Sequence, residues 1–172
     1  EFYKLAPAGG EPTLVQSKSG YSDFHMALML ELCKMDLGNY LLVNHSNSAA
    51  WFSLVIHFLS EIQSALDFLH RARVAYRDLK LENVLVVEKP DGNPVFPSVH
   101  CKLGDFGFGR IVEPGGVREC SLAGTLFFAA PEMEQLASRR VSTLNIDDVG
   151  MKALDTYAYG SVAYALAYGP GY

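Results

Sequence analysis

The strongest structural signal in the sequence is a run of apolar side chains at steps of three and four residues. The run comprises Phe52, Val55, Leu59, Ile62, Leu66 and Leu69. This spacing places all of them on one face of an α-helix. Ser46, Asn47 or Ser48 is suited to cap the start of the helix. Arg71 and Arg73 suit its C-terminal end through the helix dipole. The chain must therefore fold around a long amphipathic helix.

Short β-prone runs lie on both sides of this helix. Met26–Cys33 is an apolar run of strand length and is predicted to be a buried strand. Val84–Val87 and Val99–Leu103 are predicted to form a hairpin, because the connection contains the turn sequence Asp91–Pro94. Val112–Thr125 has no steady period and is predicted to be a long loop, and loops of that length often have a function.

The C-terminal run Asp155–Tyr168 is apolar on nearly every side, which predicts a helix that is buried all round. Hydrophobic residues make up 49% of the chain and charged residues 19%, so the composition can build a core. A length of 172 residues indicates one domain.

Charge and cysteine content limit the partners and the compartment. The chain has 14 Lys and Arg against 19 Asp and Glu and lacks a concentrated basic segment, which argues against nucleic acid as the main partner. Cys33, Cys101 and Cys120 form no C-x-x-C pair, which favours a reducing compartment, cytoplasmic or nuclear. The N-terminus does not resemble a signal peptide, and the most apolar stretch, Trp51–Leu59, is too short to span a bilayer. We therefore expect a soluble intracellular chain without a membrane span.

Chemically reactive side chains are concentrated in the octet Tyr76–Asn83, between the long helix and the hairpin. The octet places a carboxylate (Asp78), an amine (Lys80) and an amide (Asn83) in one short loop. Phosphoryl transfer from a nucleotide needs a carboxylate to orient the attacking hydroxyl, a cation near the phosphate and oxygen ligands for Mg²⁺. The octet by itself is also compatible with a polar surface turn.

Three further motifs follow the octet in a fixed order. They are the D-F-G triplet Asp105–Gly107, the segment Gly124–Glu132 that ends in A-P-E, and Asp155–Gly160. In this order and context, the motifs resemble those of the eukaryotic protein kinases. The resemblance covers almost the whole chain.

The resemblance implies an α+β, protein-kinase-like fold. Residues 1–33 would be remnant β-strands of the small lobe and the hinge, and residues 34–172 a mostly helical large lobe. The resemblance also implies an internal piece of a kinase domain, since the glycine-rich loop and the ATP-binding lysine would lie before residue 1. We expect the piece alone to bind ATP weakly and to transfer phosphate poorly.

The resemblance assigns catalytic roles residue by residue. Asp78 would orient the substrate hydroxyl and accept its proton. Lys80 resembles the lysine that serine/threonine kinases place beside the γ-phosphate, and Thr125 resembles the threonine that bonds both of these residues. Asn83 and Asp105 would hold Mg²⁺.

Four residues would bind ATP according to the same resemblance. Glu31 and Cys33 lie where the hinge backbone meets adenine, Asp36 where a carboxylate reaches the ribose, and Leu85 beneath the adenine ring. Two of these have ordinary alternatives, because Leu85 would be core in any hairpin and Asp36 is suited to cap the next helix.

The resemblance assigns a role in regulation to three more residues and a structural role to a fourth, Asp155. Arg77 and Arg110 resemble the cations that bind a phosphate carried by the segment after D-F-G, and Ser121 lies where that phosphate is usually found. The alternative for Ser121 is an unmodified surface serine. Asp155 would tie its helix to the backbone of the catalytic loop. The histidines show no metal-ligand spacing and are expected to have surface or core roles.

These features predict an ATP- and Mg²⁺-dependent serine/threonine protein kinase that acts on protein substrates. The alternative is a pseudokinase or kinase-like scaffold that binds protein partners without catalysis. The two classes differ in the lysine and glycine loop expected upstream of this sequence.

Overall fold

The structure is a computed structural model, and it describes residues 3–4, 13–14, 30–88, 99–113, 115, 118–121, 128–133 and 143–169. The chain divides into two compact units, Glu1–Leu32 and Cys33–Tyr172. In the first unit, β1 (Tyr3–Lys4) pairs antiparallel with β2 (Thr13–Leu14). The helices and sheets described below belong to the second unit.

The second unit combines helices with short strands. Its helices include α1 (Leu37–Asn44), α2 (Ala49–Arg71) and α3 (Asp148–Tyr168), and a 3₁₀ turn lies at Leu81–Asn83. Its described strands are β3 (Met35–Asp36), β4 (Val74–Ala75), β5 (Val84–Glu88), β6 (Val99–Leu103), β7 (Arg110–Ile111), β8 (Arg118–Ser121) and β9 (Thr143–Ile146). Helices with small antiparallel sheets confirm the predicted α+β class.

The described strands of the second unit form three small antiparallel sheets. The first has the order β3–β5–β6, the second pairs β4 with β7, and the third pairs β8 with β9. The β5–β6 pair confirms the predicted hairpin, with Val84 opposite Leu103. Strand β8 lies inside the predicted loop Val112–Thr125, so that prediction is wrong for Arg118–Ser121. Pairing of its backbone with β9 overrides the lack of an alternating pattern.

Helix α2 confirms the predicted long helix and begins after Ser48, whose side chain accepts a hydrogen bond from the Trp51 amide. Its buried face differs slightly from the predicted one. Trp51 and Phe58 are buried, whereas Phe52 is 42% exposed. The face is shifted because α3 packs against this side, where the Trp51 indole donates to the Leu166 carbonyl at 3.1 Å.

Helix α2 is also long and apolar enough to cross a membrane, by length and composition alone. The stretch Trp51–Leu59, which is too short to span a bilayer by itself, is part of this longer helix. A single helix of this kind is weak support for a membrane span, because core helices of globular proteins meet the same criteria. The expected absence of a membrane span stays a prediction.

Helix α3 starts about two turns before the predicted position. Asp147 caps it by accepting a hydrogen bond from the Gly150 amide at 2.7 Å. The helix is not buried all round, since Tyr157, Tyr164 and Tyr168 are exposed. Tyrosine combines an apolar ring with a polar hydroxyl and tolerates contact with water. Counting the tyrosines as apolar residues therefore overestimates how much of the helix is buried.

The predicted strand Met26–Cys33 is wrong where the structure describes it. Leu30–Cys33 form no strand, and Leu30 and Leu32 are 76% and 94% exposed. Residues 26–29 lie outside the described residues. Pairing with the hairpin starts later in the chain, where the Lys34 amide donates to the Val86 carbonyl and Met35 lies opposite Val86.

Candidate active site

The octet Tyr76–Asn83 lies in the core rather than on the surface. Tyr76 is 0% exposed, Asp78 3% and Leu79 2%. Tyr76 and Leu79 belong to the same apolar cluster as Phe58 of α2 and Val162 of α3. The alternative of a polar surface turn is therefore excluded, because a surface turn would leave these side chains in water.

The Asp155 carboxylate on α3 holds the start of the octet. Its Oδ2 accepts a hydrogen bond from the Tyr76 amide at 2.8 Å, and its Oδ1 accepts one from the Arg77 amide at 2.6 Å. His70, in the last turn of α2, places its Nε2 2.8 Å from the same Oδ2. The expectation that Asp155 ties its helix to the catalytic loop is thus confirmed.

These bonds hold an unfavourable backbone conformation. Arg77 has φ 71°, in the left-handed region that non-glycine residues rarely adopt. Such a conformation costs on the order of 1–3 kcal/mol and persists only when the surroundings enforce it. The Arg77 guanidinium adds a bond to the Phe108 carbonyl at 3.3 Å, which connects the octet to the segment after D-F-G.

The predicted catalytic side chains of the octet are in direct contact. Lys80 Nζ lies 3.1 Å from Asp78 Oδ2, and Asn83 Nδ2 donates to the same oxygen at 2.7 Å. Asn83 Nδ2 also donates to the Asp78 carbonyl at 2.8 Å. The 3₁₀ turn Leu81–Asn83 produces this contact, because it brings the amide back over the carboxylate.

One oxygen of this cluster has no hydrogen-bond partner in the described part of the chain. Asp78 Oδ1 is buried and accepts no hydrogen bond from any residue in the described ranges. The Asn83 amide uses its nitrogen to bond Asp78, because only the nitrogen can donate, so its oxygen is the end of the side chain that is able to bind a cation. A buried carboxylate oxygen without a partner is costly unless a ligand or a neighbouring group satisfies it.

The D-F-G triplet is attached to the octet by its neighbours. The Gly104 amide donates to the Asn83 carbonyl at 2.8 Å, and the Tyr76 hydroxyl donates to the Gly104 carbonyl. The rings of Tyr76 and Phe106 pack edge to face, with 5.4 Å between their centroids. These contacts join Asn83 to Gly104, the residue directly before Asp105, and the side-chain oxygens of Asn83 and Asp105 are of the kind that Mg²⁺ binds.

Asp105 itself adopts φ 42°, and its Oδ1 accepts a hydrogen bond from the Gly107 amide at 3.1 Å. This local bond stabilises the left-handed conformation, which aspartate tolerates better than most residues. Asp105 is exposed, in contrast to the buried Asp78. The two motifs thus give one sheltered and one accessible carboxylate.

Two of the predicted ATP-binding residues are paired across neighbouring strands. Asp36 of β3 lies opposite Leu85 of β5. Leu85 packs over Gly104, where an added Cβ would come within 2.8 Å of its side chain. Both carboxylate oxygens of Asp36 accept hydrogen bonds from Asn39. Oδ1 accepts from the backbone amide at 2.8 Å, and Oδ2 accepts from the side-chain Nδ2 at 2.5 Å. Asp36 therefore caps α1, as its ordinary alternative predicted.

The remaining predicted residues are described only in part. Cys33 begins the second unit and is partly buried, whereas Glu31 belongs to the first unit. Arg110 is exposed on β7 opposite Ala75. Ser121 lies in β8, but its side chain falls outside the described part, as does Thr125 altogether.

Sequence reasoning missed two supporting residues, His70 and the hydroxyl of Tyr76. His70 was expected to be an ordinary core or surface histidine, yet it contacts Asp155 at the junction of α2, α3 and the octet. Tyr76 was noted only as part of the motif, although its hydroxyl supports Gly104. No spacing in the sequence indicates either contact, because both join distant segments.

Replacing Tyr76 by phenylalanine should destabilise the fold by about 1–3 kcal/mol at neutral pH, because the partly buried Gly104 carbonyl loses its donor. Urea unfolding would measure this change. Tyr157→Phe is the matched control, since Tyr157 is 45% exposed and its loss should change stability by less than about 0.5 kcal/mol.

The effect should depend on pH. Burial, followed by the charges of Asp78, Asp105 and Asp155, raises the pKa of Tyr76 above its ordinary value of 10.0. Above about pH 10 the unfolded chain loses this proton while the folded chain keeps it, so stability falls as pH rises. The Tyr76→Phe protein has no such proton at this position, so its free energy of unfolding lacks this pH dependence. The difference in free energy of unfolding between the wild type and the variant should therefore shrink above pH 10. A difference that stays constant through this range would contradict the assignment.

Comparison with known proteins agrees with this geometry. Residues 11–170 match the protein kinase domain family. The chain is 33% identical over 149 residues to leucine-rich repeat serine/threonine-protein kinase 1 of Caenorhabditis elegans, covering 86% of this chain and 6% of that protein. It is 34% identical over 136 residues to developmentally-regulated protein kinase 1 of Dictyostelium discoideum, and the match covers 79% of this chain and 16% of that protein.

A third relative, Aurora kinase of Candida glabrata, is 30% identical over 141 residues, covering 76% of this chain and 34% of that protein. The chain thus spans about a third or less of the length of each of these relatives. The family match includes the buried octet, the D-F-G triplet and the helix that carries Asp155. The chain belongs to the protein kinase domain family.

Proposed function

We propose that this chain carries the catalytic centre of an ATP-dependent serine/threonine protein kinase, which transfers the γ-phosphate of ATP to a hydroxyl of a protein substrate. The observation that carries the proposal is the buried carboxylate of Asp78, with one oxygen bonded to Lys80 and Asn83 and the other without a partner in the described residues. The relatives named as serine/threonine kinases support the substrate class.

The proposed reaction uses the two oxygens of Asp78 differently. Oδ1 would accept a hydrogen bond from the attacking serine or threonine hydroxyl and orient it toward the γ-phosphorus. A new phosphorus–oxygen bond forms to the hydroxyl oxygen, the bond to the β-phosphate oxygen breaks, and the hydroxyl proton passes to Asp78. Lys80, held 3.1 Å from Oδ2, would stabilise the negative charge on the transferred phosphate.

Asn83 and Asp105 are the proposed Mg²⁺ ligands. Their side chains offer the oxygen donors that Mg²⁺ prefers, and the bond from Gly104 to Asn83 keeps their segments together. When bound, Mg²⁺ would neutralise charge on the phosphate oxygens. Thr125 is proposed to bond Asp78 and Lys80.

The proposed ATP site lies beside these residues. The contact between Leu85 and Gly104 supports a position for adenine next to the D-F-G triplet. Glu31 and Cys33 would meet adenine through their backbone. Asp36 would reach the ribose only by exchanging its contact with Asn39 for one with the ligand. The proposed partners are ATP and a protein substrate in the cytoplasm or nucleus, without a role for nucleic acid.

We also propose that phosphorylation of Ser121 activates the enzyme. Arg110 lies opposite Ala75, only two residues before Arg77, so the pairing of β4 with β7 brings both arginines to one region. A phosphate carries up to two negative charges and bonds arginine strongly. The proposed phosphate would thereby connect the activation segment with the catalytic loop.

Replacing Asp78 by asparagine in the full-length protein should lower kcat for phosphate transfer by roughly 10²- to 10⁴-fold. Asparagine keeps the size of the side chain and can still accept the bond from Lys80, so KM for ATP should change little. Transfer of labelled phosphate from ATP to a basic acceptor protein would measure both constants. Glu82→Gln is the matched control, because Glu82 is exposed in the same 3₁₀ turn.

A folded Asp78→Asn protein with the activity of the wild type would contradict the catalytic role. A full-length wild type that transfers no phosphate, even with Ser121 phosphorylated, would favour the scaffold alternative.

Replacing Ser121 by alanine in the full-length protein should lower the phosphotransfer rate of the activated enzyme by at least about tenfold, because charge-assisted bonds to Arg77 and Arg110 are lost. The rate should be compared with that of Ser64→Ala, since Ser64 is an exposed serine of α2. Equal rates for the Ser121→Ala protein and the wild type would show that Ser121 has no regulatory phosphate.

A further inference from the structure

Two histidines and a glutamate converge where α2 packs against β6, outside the proposed kinase site. His57 and Glu61 are four residues apart on α2, so they lie on one face of the helix, one turn apart. His100 belongs to β6. His100 Nδ1 lies 2.6 Å and His57 Nε2 3.5 Å from the same oxygen, Glu61 Oε1. The three potential ligand atoms all lie within 4.8 Å of one another.

The carboxylate of Glu61 is held in the orientation that this cluster needs. Its other oxygen, Oε2, accepts a hydrogen bond from the Cys101 amide at 2.7 Å. Oε1 is therefore turned toward the two imidazole rings, whose centroids lie 5.3 Å apart. Outer hydrogen bonds of this kind are typical of metal ligands, because they fix the ligand before the metal arrives. The Cys101 thiol donates to the Phe58 carbonyl at 3.7 Å.

One atom of the cluster lacks a hydrogen bond. His57 Nε2 is buried and has no hydrogen-bond partner among the residues that the structure describes. It faces Glu61 Oε1 at a distance too long for a hydrogen bond. Most buried polar atoms are satisfied, so an orphaned imidazole nitrogen beside a carboxylate calls for a ligand.

We propose that His57, Glu61 and His100 bind Zn²⁺, with water in the fourth position. Two imidazole nitrogens and one carboxylate oxygen are a common ligand set for this ion. Bonds of roughly 2.0–2.2 Å in a tetrahedron place ligand atoms about 3.3 Å apart. The distance between His57 Nε2 and Glu61 Oε1 is already close to that value at 3.5 Å. The distance between His100 Nδ1 and Glu61 Oε1 would have to increase from 2.6 Å.

Binding would replace the hydrogen bond between His100 and Glu61 by two bonds to the metal. The coordinating His100 Nδ1 then carries no proton, since zinc ligands are deprotonated at the coordinating atom. A neutral ring reaches this state by holding its proton on Nε2 instead, and a protonated ring reaches it by releasing one proton to solvent. Mg²⁺ and Ca²⁺ are not expected to compete, because they prefer sites made of oxygen alone. The bound ion would clamp β6 to α2.

This clamp would act on the segment that leads into the D-F-G triplet. Strand β6 ends at Leu103, directly before Gly104 and Asp105, and its partner strand β5 follows Asn83. The zinc site does not depend on the proposed kinase reaction, and its test involves no phosphate transfer. Sequence spacing did not reveal the site because His57 and His100 belong to different elements.

Calorimetric titration of the untagged chain with Zn²⁺ tests the proposal. We expect a saturable site that Mg²⁺ does not occupy, and a rise in Tm with added Zn²⁺. His57→Ala, Glu61→Gln and His100→Ala should each weaken binding by more than the roughly 10- to 100-fold that loss of an outer partner costs. Asp67→Asn is the matched control, because Asp67 is an exposed acid on the same helix.

A second measurement keeps the test decisive if a variant fails to fold. NMR signals of the imidazole rings of wild-type His57 and His100 should shift on addition of Zn²⁺, while those of His45 and His70 should not. Absence of saturable binding to the folded wild type would overturn the proposal. Binding that persists in all three variants, or that shifts only other rings, would also overturn it.

Discussion

The carboxylate of Asp155 is the interaction on which the candidate site depends. It is 1% exposed, and it receives the amides of Tyr76 and Arg77 together with the ring of His70. A buried charge is stable only when it is fully bonded, so these donors and the carboxylate require one another. Through this one group, the end of α2 and the catalytic loop are fixed to α3.

The remaining contacts of the site extend from this anchor. Tyr76 is fixed at its amide by Asp155 and in turn supports Gly104 with its hydroxyl. Gly104 bonds Asn83, and Asn83 bonds Asp78. Most of these bonds join segments that are distant in sequence. The proposed catalytic and Mg²⁺-binding groups are therefore positioned by the core and not by the loops that carry them, which suits a reaction that depends on geometry.

Local patterns in the sequence predicted the elements whose burial is regular. The period of α2 is a local property, and the helix was confirmed. The pairing of β5 with β6 was also confirmed, whereas the predicted turn Asp91–Pro94 lies outside the described residues. The order of motifs also predicted the residues of the octet, which the structure brings into contact. These predictions succeeded because the information lies within a few residues along the chain.

Predictions failed where tertiary contacts decide the outcome. The apolar run Met26–Cys33 reads as a strand, but the hairpin is paired by the residues that follow it. Strand β8 lacks a pattern of its own and exists through pairing with β9. The cluster around Glu61 joins a helix to a strand and has no signature in either. In each case the partner is distant in sequence, and no local rule identifies it.

The contacts of Asp155 also divide into one that the sequence predicts and others that depend on residues distant in the chain. The sequence motif indicated that Asp155 contacts the catalytic loop, but it did not reveal His70 as a third partner or the left-handed backbone at Arg77. This buried carboxylate, rather than the sequence of the octet, holds Tyr76 and Arg77 in place.

Hydrogen exchange of the Tyr76 and Arg77 amides, compared between the wild type and Asp155→Asn by NMR, tests this claim most directly. Both amides should be protected in the wild type and exchange roughly 10- to 100-fold faster in the variant, since a bond to a charged acceptor is lost. The Ile62 amide in the middle of α2 serves as an internal control and should change little. Unchanged protection of Tyr76 and Arg77 in a folded Asp155→Asn protein would contradict the account.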